Sequence, residues 1–162
     1  MTEQDVQKAI FNTTSISKRW EVVIPNCYTK HDNECDLWCL RKSGLYDEIE
    51  VKVSKADFRI DERKTIMTEN VNAKGWKDKW IDKSKREANV DGELANYFWY
   101  AFPKGLVDHD DVPEWAGIME IDPDTMRARE IRMPKRLHGT KLTDLQKFKQ
   151  TRKLHFRFWK MF

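Results

Sequence analysis

The sequence predicts an α/β fold with a mixed central β-sheet flanked by helices, and three observations carry that expectation. Runs rich in β-branched and aromatic residues recur along the chain, as in WEVVIP, YDEIEVKVS and NYFWYAFP. Helical signals lie near both ends, in DVQKAI and LTDLQKF. Turn residues and one charged, aliphatic-poor segment separate the strands, an order that suits an α/β layout better than an all-β one.

Thr2 is placed to cap a first helix, with Asp5 three residues on as the capping-box acid and Val6, Ala9 and Ile10 as its apolar stripe. The helix should end near Phe11. WEVVIP then forms the first strand and is expected to stop at Pro25. ECDLWCL and YDEIEVKVS form an antiparallel hairpin joined through Lys42, Ser43 and Gly44. KADFRIDERK reads as a short helix capped by Ser54. Residues 65–95 read as a charged insertion over the surface, with Trp76 and Trp80 four apart, on one face if the segment is helical. NYFWYAFP and AGIMEID are buried strands, and a helical turn is expected near Asp111 with Pro113 early in it. Arg127 to Met133 suits an edge strand. Leu142, Leu145, Phe148, Phe158 and Phe162 mark an apolar stripe on a terminal helix capped by Thr143.

A chain of 162 residues, 40% hydrophobic and 12% aromatic, fits one domain spanning 1–162 with a core of its own. No run approaches the roughly 18 apolar residues of a membrane span. MTEQDVQKAI lacks the layout of a secretion signal, so a soluble, cytoplasmic protein without membrane contact is expected. Three cysteines leave one unpaired in any disulfide scheme, which suits a reducing compartment. Cys27, His31, Cys35 and Cys39 recur every four residues and offer an alternative, a structural zinc site; Cys35 and Cys39 also read as small core fillers on a strand.

The formal charge of +3 conceals an asymmetry. Met1 to Met126 hold 18 Lys and Arg against 25 Asp and Glu, whereas Arg127 to Phe162 hold 12 against 2. An acidic body with a basic tail suits a carboxylate site beside a polyanion-binding surface, or simply a solvated terminal helix.

Alternate side chains of a strand point to opposite faces. Ile49, Val51 and Val53 should therefore face the core while Glu48, Glu50 and Lys52 share the other face; Cys35, Leu37 and Cys39 should likewise oppose Asp36 on the neighbouring strand. Asp36, Glu50 and Lys52 thus reach one cleft. Two carboxylates brought together repel unless a cation joins them, and all-oxygen ligation suits Mg²⁺ or Mn²⁺. An exposed sheet face with weak ion pairs would show the same E-x-E-x-K pattern.

Asp36, followed fourteen residues later by Glu50-x-Lys52 on the next strand, resembles the D…(D/E)-x-K signature of the PD-(D/E)XK nuclease superfamily. EIEVKVSKADFRIDERK, NYFWYAFPKGL and VPEWAGIMEI are similar, in order, to segments of the MmcB-like DNA-repair proteins and their phage-encoded relatives. The likeness runs from about Trp20 to Asp122. It implies a restriction-endonuclease-like core, with Asp36 and Glu50 as ligands of Mg²⁺ (or Mn²⁺), Lys52 as catalytic lysine and the Val51 carbonyl facing the metal. By the same resemblance the chain would be a metal-dependent deoxyribonuclease of DNA repair, recombination or phage DNA metabolism, in bacterial or phage-infected cytoplasm. Cys35 stands where the motif's proline would be. Asn26 stands where relatives place a Glu, and Glu3 is the best-placed helical acid, with Glu48 left at the entrance.

DNA is the expected partner. Phosphate contacts would come from Arg127, Arg129, Arg132, Lys135 and Arg136, continued along the helix by Lys147, Lys149, Arg152 and Lys153. Lys77, Lys79, Lys83, Lys85 and Arg86 could close the other wall of a groove. No base-reading motif is present, so selectivity for structure or ends is expected, and cutting two strands would call for a homodimer. The alternative is a catalytically inactive nuclease-fold module that binds DNA or protein. His109, in DHDD, reads as a surface-turn residue with a metal role as the alternative, and His31, His138 and His155 lie in polar or basic contexts.

Overall fold

Apolar alternation and turn chemistry build the sheet, and the helices cover what the sheet leaves apolar. In this computed structural model the described residues are 1–29, 34–61, 65–71, 77–82 and 94–161, of which 65–71 and 77–82 are described as backbone only. Strands β1 (Trp20–Tyr28), β2 (Glu34–Arg41), β3 (Tyr46–Val51), β6 (Tyr97–Pro103), β7 (Gly117–Asp122) and β8 (Arg127–Arg132) form one six-stranded sheet in the order β1-β2-β3-β6-β7-β8. β3 runs parallel to β6 and β6 to β7; the remaining pairs are antiparallel. The sheet is thus mixed, as expected. β4 (Thr65–Val71) and β5 (Lys77–Asp82) pair antiparallel in a sheet of their own.

Helix α1 (Glu3–Asn12) opens on the expected capping box, the Asp5 N–H donating to Thr2 Oγ1 and the Thr2 N–H to Asp5 Oδ2. Its residues Val6, Ala9 and Ile10, with Ile16 of α2 (Thr14–Ser17), cover one sheet face against Leu37, Ile49, Val51, Trp99 and Met119. Helix α3 (Lys55–Asp61) sets Phe58 on the other face among Phe98, Tyr100, Phe102 and Trp115. Helix α4 (Asp144–Trp159) lies on that second face beside β1, where Leu142 and Leu154 pack against Ile24, Cys27, Cys35, Trp38 and Tyr46. Ser54 caps α3 and Thr143 caps α4 as the sequence indicated. Gly44, at φ +84°, turns the β2–β3 hairpin in the left-handed region that glycine enters without strain.

Several expectations are corrected. β1 does not stop at Pro25 but continues to Tyr28, because β1 is an edge strand and a missing N–H costs little there. Trp80 lies on strand β5 rather than a helix, and Trp76 lies outside the described residues. Leu94 and Ala95, assigned to the surface insertion, are buried. The turn after β6 is a 3-10 turn at His109–Asp111, ending before Pro113. Cys35 joins the cluster of Cys27 and Trp38 rather than that of Leu37 and Cys39. Of the apolar stripe at the terminal helix, Leu142 packs against the body with Leu154 and Gln150, while Leu145, Phe148 and Phe158 are more than half exposed, and Phe162 lies outside the described residues.

A buried acid ties the sheet together on the α1 face. Asp47 accepts from Trp20 Nε1 and Trp99 Nε1, each at 2.8 Å, and from Arg41 Nε and Nη2, each at 2.6 Å. Four charge-assisted donors satisfy a carboxylate that would otherwise be costly to bury.

Candidate acid–lysine site

β3 is the strand that positions the cluster. All six of its residues are buried, so the charged alternation is no solvated sheet face. Glu50 leaves the strand on the α3 side, and Lys52, just beyond it, is only 1% exposed. A buried ammonium must be paired, and Lys52 Nζ donates to Glu50 Oε1 at 2.8 Å and to Asp61 Oδ1 at 2.9 Å. Asp57, one helical turn before Asp61, lies 3.8 Å from the same nitrogen. Tyr100 completes the group, its hydroxyl donating to Asp61 Oδ2 at 2.9 Å. Burial alone would depress the Lys52 ammonium, yet Glu50 and Asp61 outweigh it and hold its pKa above the usual lysine value.

Asp36 reaches the cluster from β2. Its Oδ2 accepts the Val51 N–H at 2.7 Å, so the backbone of β3 itself sets the carboxylate in place. Burial first, and then the charge of Glu50, push the Asp36 carboxyl up to about 7, against the pull of the Val51 hydrogen bond; Glu3 raises it further and Lys52 lowers it. The three residues named from spacing are therefore brought together at the end of β3.

The first turns of α1 form the opposite wall. Gln7 Nε2 donates to Glu3 Oε1 and to the Asp36 carbonyl, each at 3.0 Å, and meets the Asn26 amide. Turning that amide about lets its nitrogen donate to Glu3 Oε1 and the Asp36 carbonyl, each at 3.2 Å, which suits those acceptors better. Asn26 has φ +46°, a left-handed conformation that asparagine tolerates better than most residues, and this bend aims its side chain at the cluster. Glu3 is thereby linked through Gln7 to the Asp36 backbone, and its charge is felt at the Asp36 carboxyl.

Other assignments are corrected. Glu48 does not stand at an entrance; it is 1% exposed, opposite Trp38 on β2 and Phe98 on β6. Arg127, Arg129 and Arg132 lie on β8, the far edge of the sheet, with two strands between it and β3, a span of about 14 Å at the usual strand spacing. The Arg132 guanidinium is engaged by the Val112, Pro113 and Ala116 carbonyls, and Lys135 lies 3.7 Å from Glu114. Lys147, Lys149, Arg152 and Lys153 stand on α4 at the opposite edge, so the basic tail is two surfaces and not one continuous strip. Lys77 and Lys79 lie on β5; Lys83, Lys85 and Arg86 fall outside the described residues. His109 does sit in a surface turn, 3.0 Å from Glu120 Oε1.

Of the zinc alternative, Cys27 and Cys35 pair across β1 and β2, Cys39 belongs to another cluster, and His31 lies outside the described residues. Burial pushes all three thiols up, away from the thiolate a zinc ion needs. Among the described residues no three His, Cys, Asp or Glu side chains already converge as a ligand set.

Asp61, Tyr100, Asp57 and Gln7 were not named from the sequence. Asp57 and Asp61 carried a signal: two acids one helical turn apart, immediately after the lysine. Tyr100 carried none.

The fold and the cluster together define an α/β protein with a six-stranded mixed sheet flanked by helices, carrying a buried lysine among several carboxylates at the end of a central strand. No protein-family model matches the chain, and no curated protein matches it. A solved structure does: the SPO1766 protein of unknown function from Silicibacter pomeroyi shares the fold at a TM-score of 0.62 and 16% identity, covering 99% of this chain and 88% of that one. Among the described residues no helix is long and apolar enough to cross a membrane.

Proposed function

We propose that the chain is a metal-dependent nuclease of the PD-(D/E)XK type, hydrolysing phosphodiester bonds in DNA with Asp36, Glu50 and Lys52 as its centre. The observation that carries this reading is the approach of the Asp36 and Glu50 carboxyls at the end of β3. Asp36 is raised to about 7 beside Glu50, and Lys52 is already shared between Glu50 and Asp61. Two carboxylates held close enough for the charge of Glu50 to raise Asp36 offer an oxygen-only donor pair, which fits Mg²⁺ or Mn²⁺. Asp36 and Glu50 would hold that ion. When bound, it supplies Lewis-acid polarisation of the phosphate and eases deprotonation of the attacking water.

The chain's own groups do the rest. Lys52 presents a fixed ammonium to a non-bridging phosphate oxygen or to the attacking water, where charge develops. Asp61 acts through Lys52, holding its ammonium and favouring its charged form, and Tyr100 in turn holds Asp61. Glu3, held by Gln7, adds negative potential at the wall and completes an acidic pocket. The restriction-endonuclease-like core expected from the motif is compatible with the mixed sheet, in which the acidic strands β2 and β3 are adjacent.

Incubating single-stranded, duplex and branched DNA with the protein and Mg²⁺ or Mn²⁺ tests the reading. The wild type should cut at least one substrate, and Asp36→Ala and Lys52→Ala should each lose about a hundredfold or more in rate. Equal cutting by wild type and variants would remove the site. A wild type that binds DNA and cuts none would leave the inactive-module reading in its place.

A further inference from the structure

The outer face of α4 is unusual for a helix that closes a fold. Phe148 is 59% exposed, Phe156 53% and Trp159 62%, and they recur with Leu145 and Arg152 at spacings that line one side of the helix. From Leu145 to Phe162 the chain holds six Lys and Arg and no acid, and of these Lys149, Arg152 and Lys160 are exposed. Arg152 lies 5.4 Å from the Phe156 ring centroid, so a positive charge sits directly beside an aromatic plane.

The inner face ties the helix to the candidate site. Gln150 donates to the Tyr28 carbonyl, Lys153 meets the same carbonyl, and Arg157 donates to the carbonyls of Pro25 and Asn26. Asn26 is the residue whose amide meets Gln7 at the wall of the acidic pocket. The C-terminal turns of α4 therefore stand next to the site, whereas the arginines of β8 stand at the far edge.

We propose that this face is a binding track for single-stranded DNA, its aromatic rings stacking unpaired bases and its lysines and arginines holding the intervening phosphates. Exposed rings alone would suit any apolar partner. Rings interleaved with cations, with no acid on the segment, match a polyanion whose monomers carry flat faces, and those faces are accessible only in an unpaired strand. The inference rests on the nuclease reading for its purpose, since it brings a strand to the Asp36–Glu50 pocket, but its test does not depend on cleavage.

The experiment is fluorescence anisotropy of a labelled oligothymidylate about 20 nucleotides long, and of a duplex of equal length, with the full chain in EDTA. A Phe148→Leu/Phe156→Leu variant keeps the helix and its apolar area but removes the stacking planes. It should bind the single strand about tenfold or more weakly while duplex binding changes about twofold or less, and Phe156→Trp should retain wild-type affinity. Arg152→Gln should weaken both and flatten the salt dependence. Thermal melts by circular dichroism confirm that the variants are folded. The proposal is overturned if the Leu/Leu variant binds the single strand as the wild type does. It is equally overturned if the wild type ignores the oligonucleotide but sediments with phosphatidylserine vesicles, or if the substitutions only turn a dimer into a monomer. Loss of cleavage with strand binding intact would remove the nuclease reading and leave the track standing.

Discussion

Asp36 is where sequence spacing and physical chemistry meet. Burial and then Glu50 raise its carboxyl to about 7, so the folded chain holds that proton more tightly than the unfolded chain, where the value is about 4. A group of this kind favours folding below the unfolded value, and its contribution is lost as pH rises through the folded one. Without metal, Asp36→Asn should therefore melt above the wild type at pH 8, with the gap closing toward pH 5. Equal melting differences at both pH values would contradict the assignment. Asp61→Ala has a different consequence, because it strips a hydrogen-bonded counter-charge from a lysine that is 1% exposed. Urea denaturation should show a loss of about 3 kcal/mol, the usual cost of breaking a buried pair from one side. The Asp36, Glu50 and Lys52 trio was legible because strand periodicity and hairpin register are local. Tyr100 and Gln7 were not: Tyr100 pairs with Glu50 only through the parallel contact of β3 and β6, fifty residues apart, and Gln7 reaches Asp36 across 29 positions.

At the scale of elements, termini and turns were readable and packing direction was not. Thr2, Ser54 and Thr143 all cap the helices expected of them, since capping needs only the next three residues. Thr143→Ala should accordingly cost about 1 kcal/mol by chemical denaturation, as the Gln146 N–H loses its acceptor. The end of β1 was misjudged because Pro25 is a strand breaker only inside a sheet, and edge position is a tertiary property. The direction of the α4 stripe was not legible for a related reason: an apolar periodicity states that one face differs from the other and is silent on which one the body covers. Gly117 shows a close approach the sequence also hides. A Cβ there would lie 2.7 Å from Trp99 Cδ2 and 2.9 Å from Pro134 Cδ, so the glycine lets β7 pass the Trp99 ring. Gly117→Ala should destabilise by about 1–3 kcal/mol in urea, the range for overpacking a filled core.

For the whole molecule, the sheet order explains how one chain keeps an acidic centre apart from its basic surfaces. β3 lies inside the sheet with the carboxylates at its end, while β8 and α4 carry cations to opposite edges. The charge asymmetry was visible in the sequence, but its division between two edges depends on the strand order, which composition does not encode. The proposed centre depends on whether Asp36 and Glu50 together hold a divalent ion. Isothermal titration of Mn²⁺ into the purified protein tests it most directly. One Mn²⁺ per chain is expected at pH 8, with weaker binding at pH 6 where Asp36 is protonated, and a loss of about tenfold or more in Asp36→Asn with the fold intact. Mn²⁺ affinity that is the same in wild type and Asp36→Asn, or unchanged between the two pH values, would contradict it.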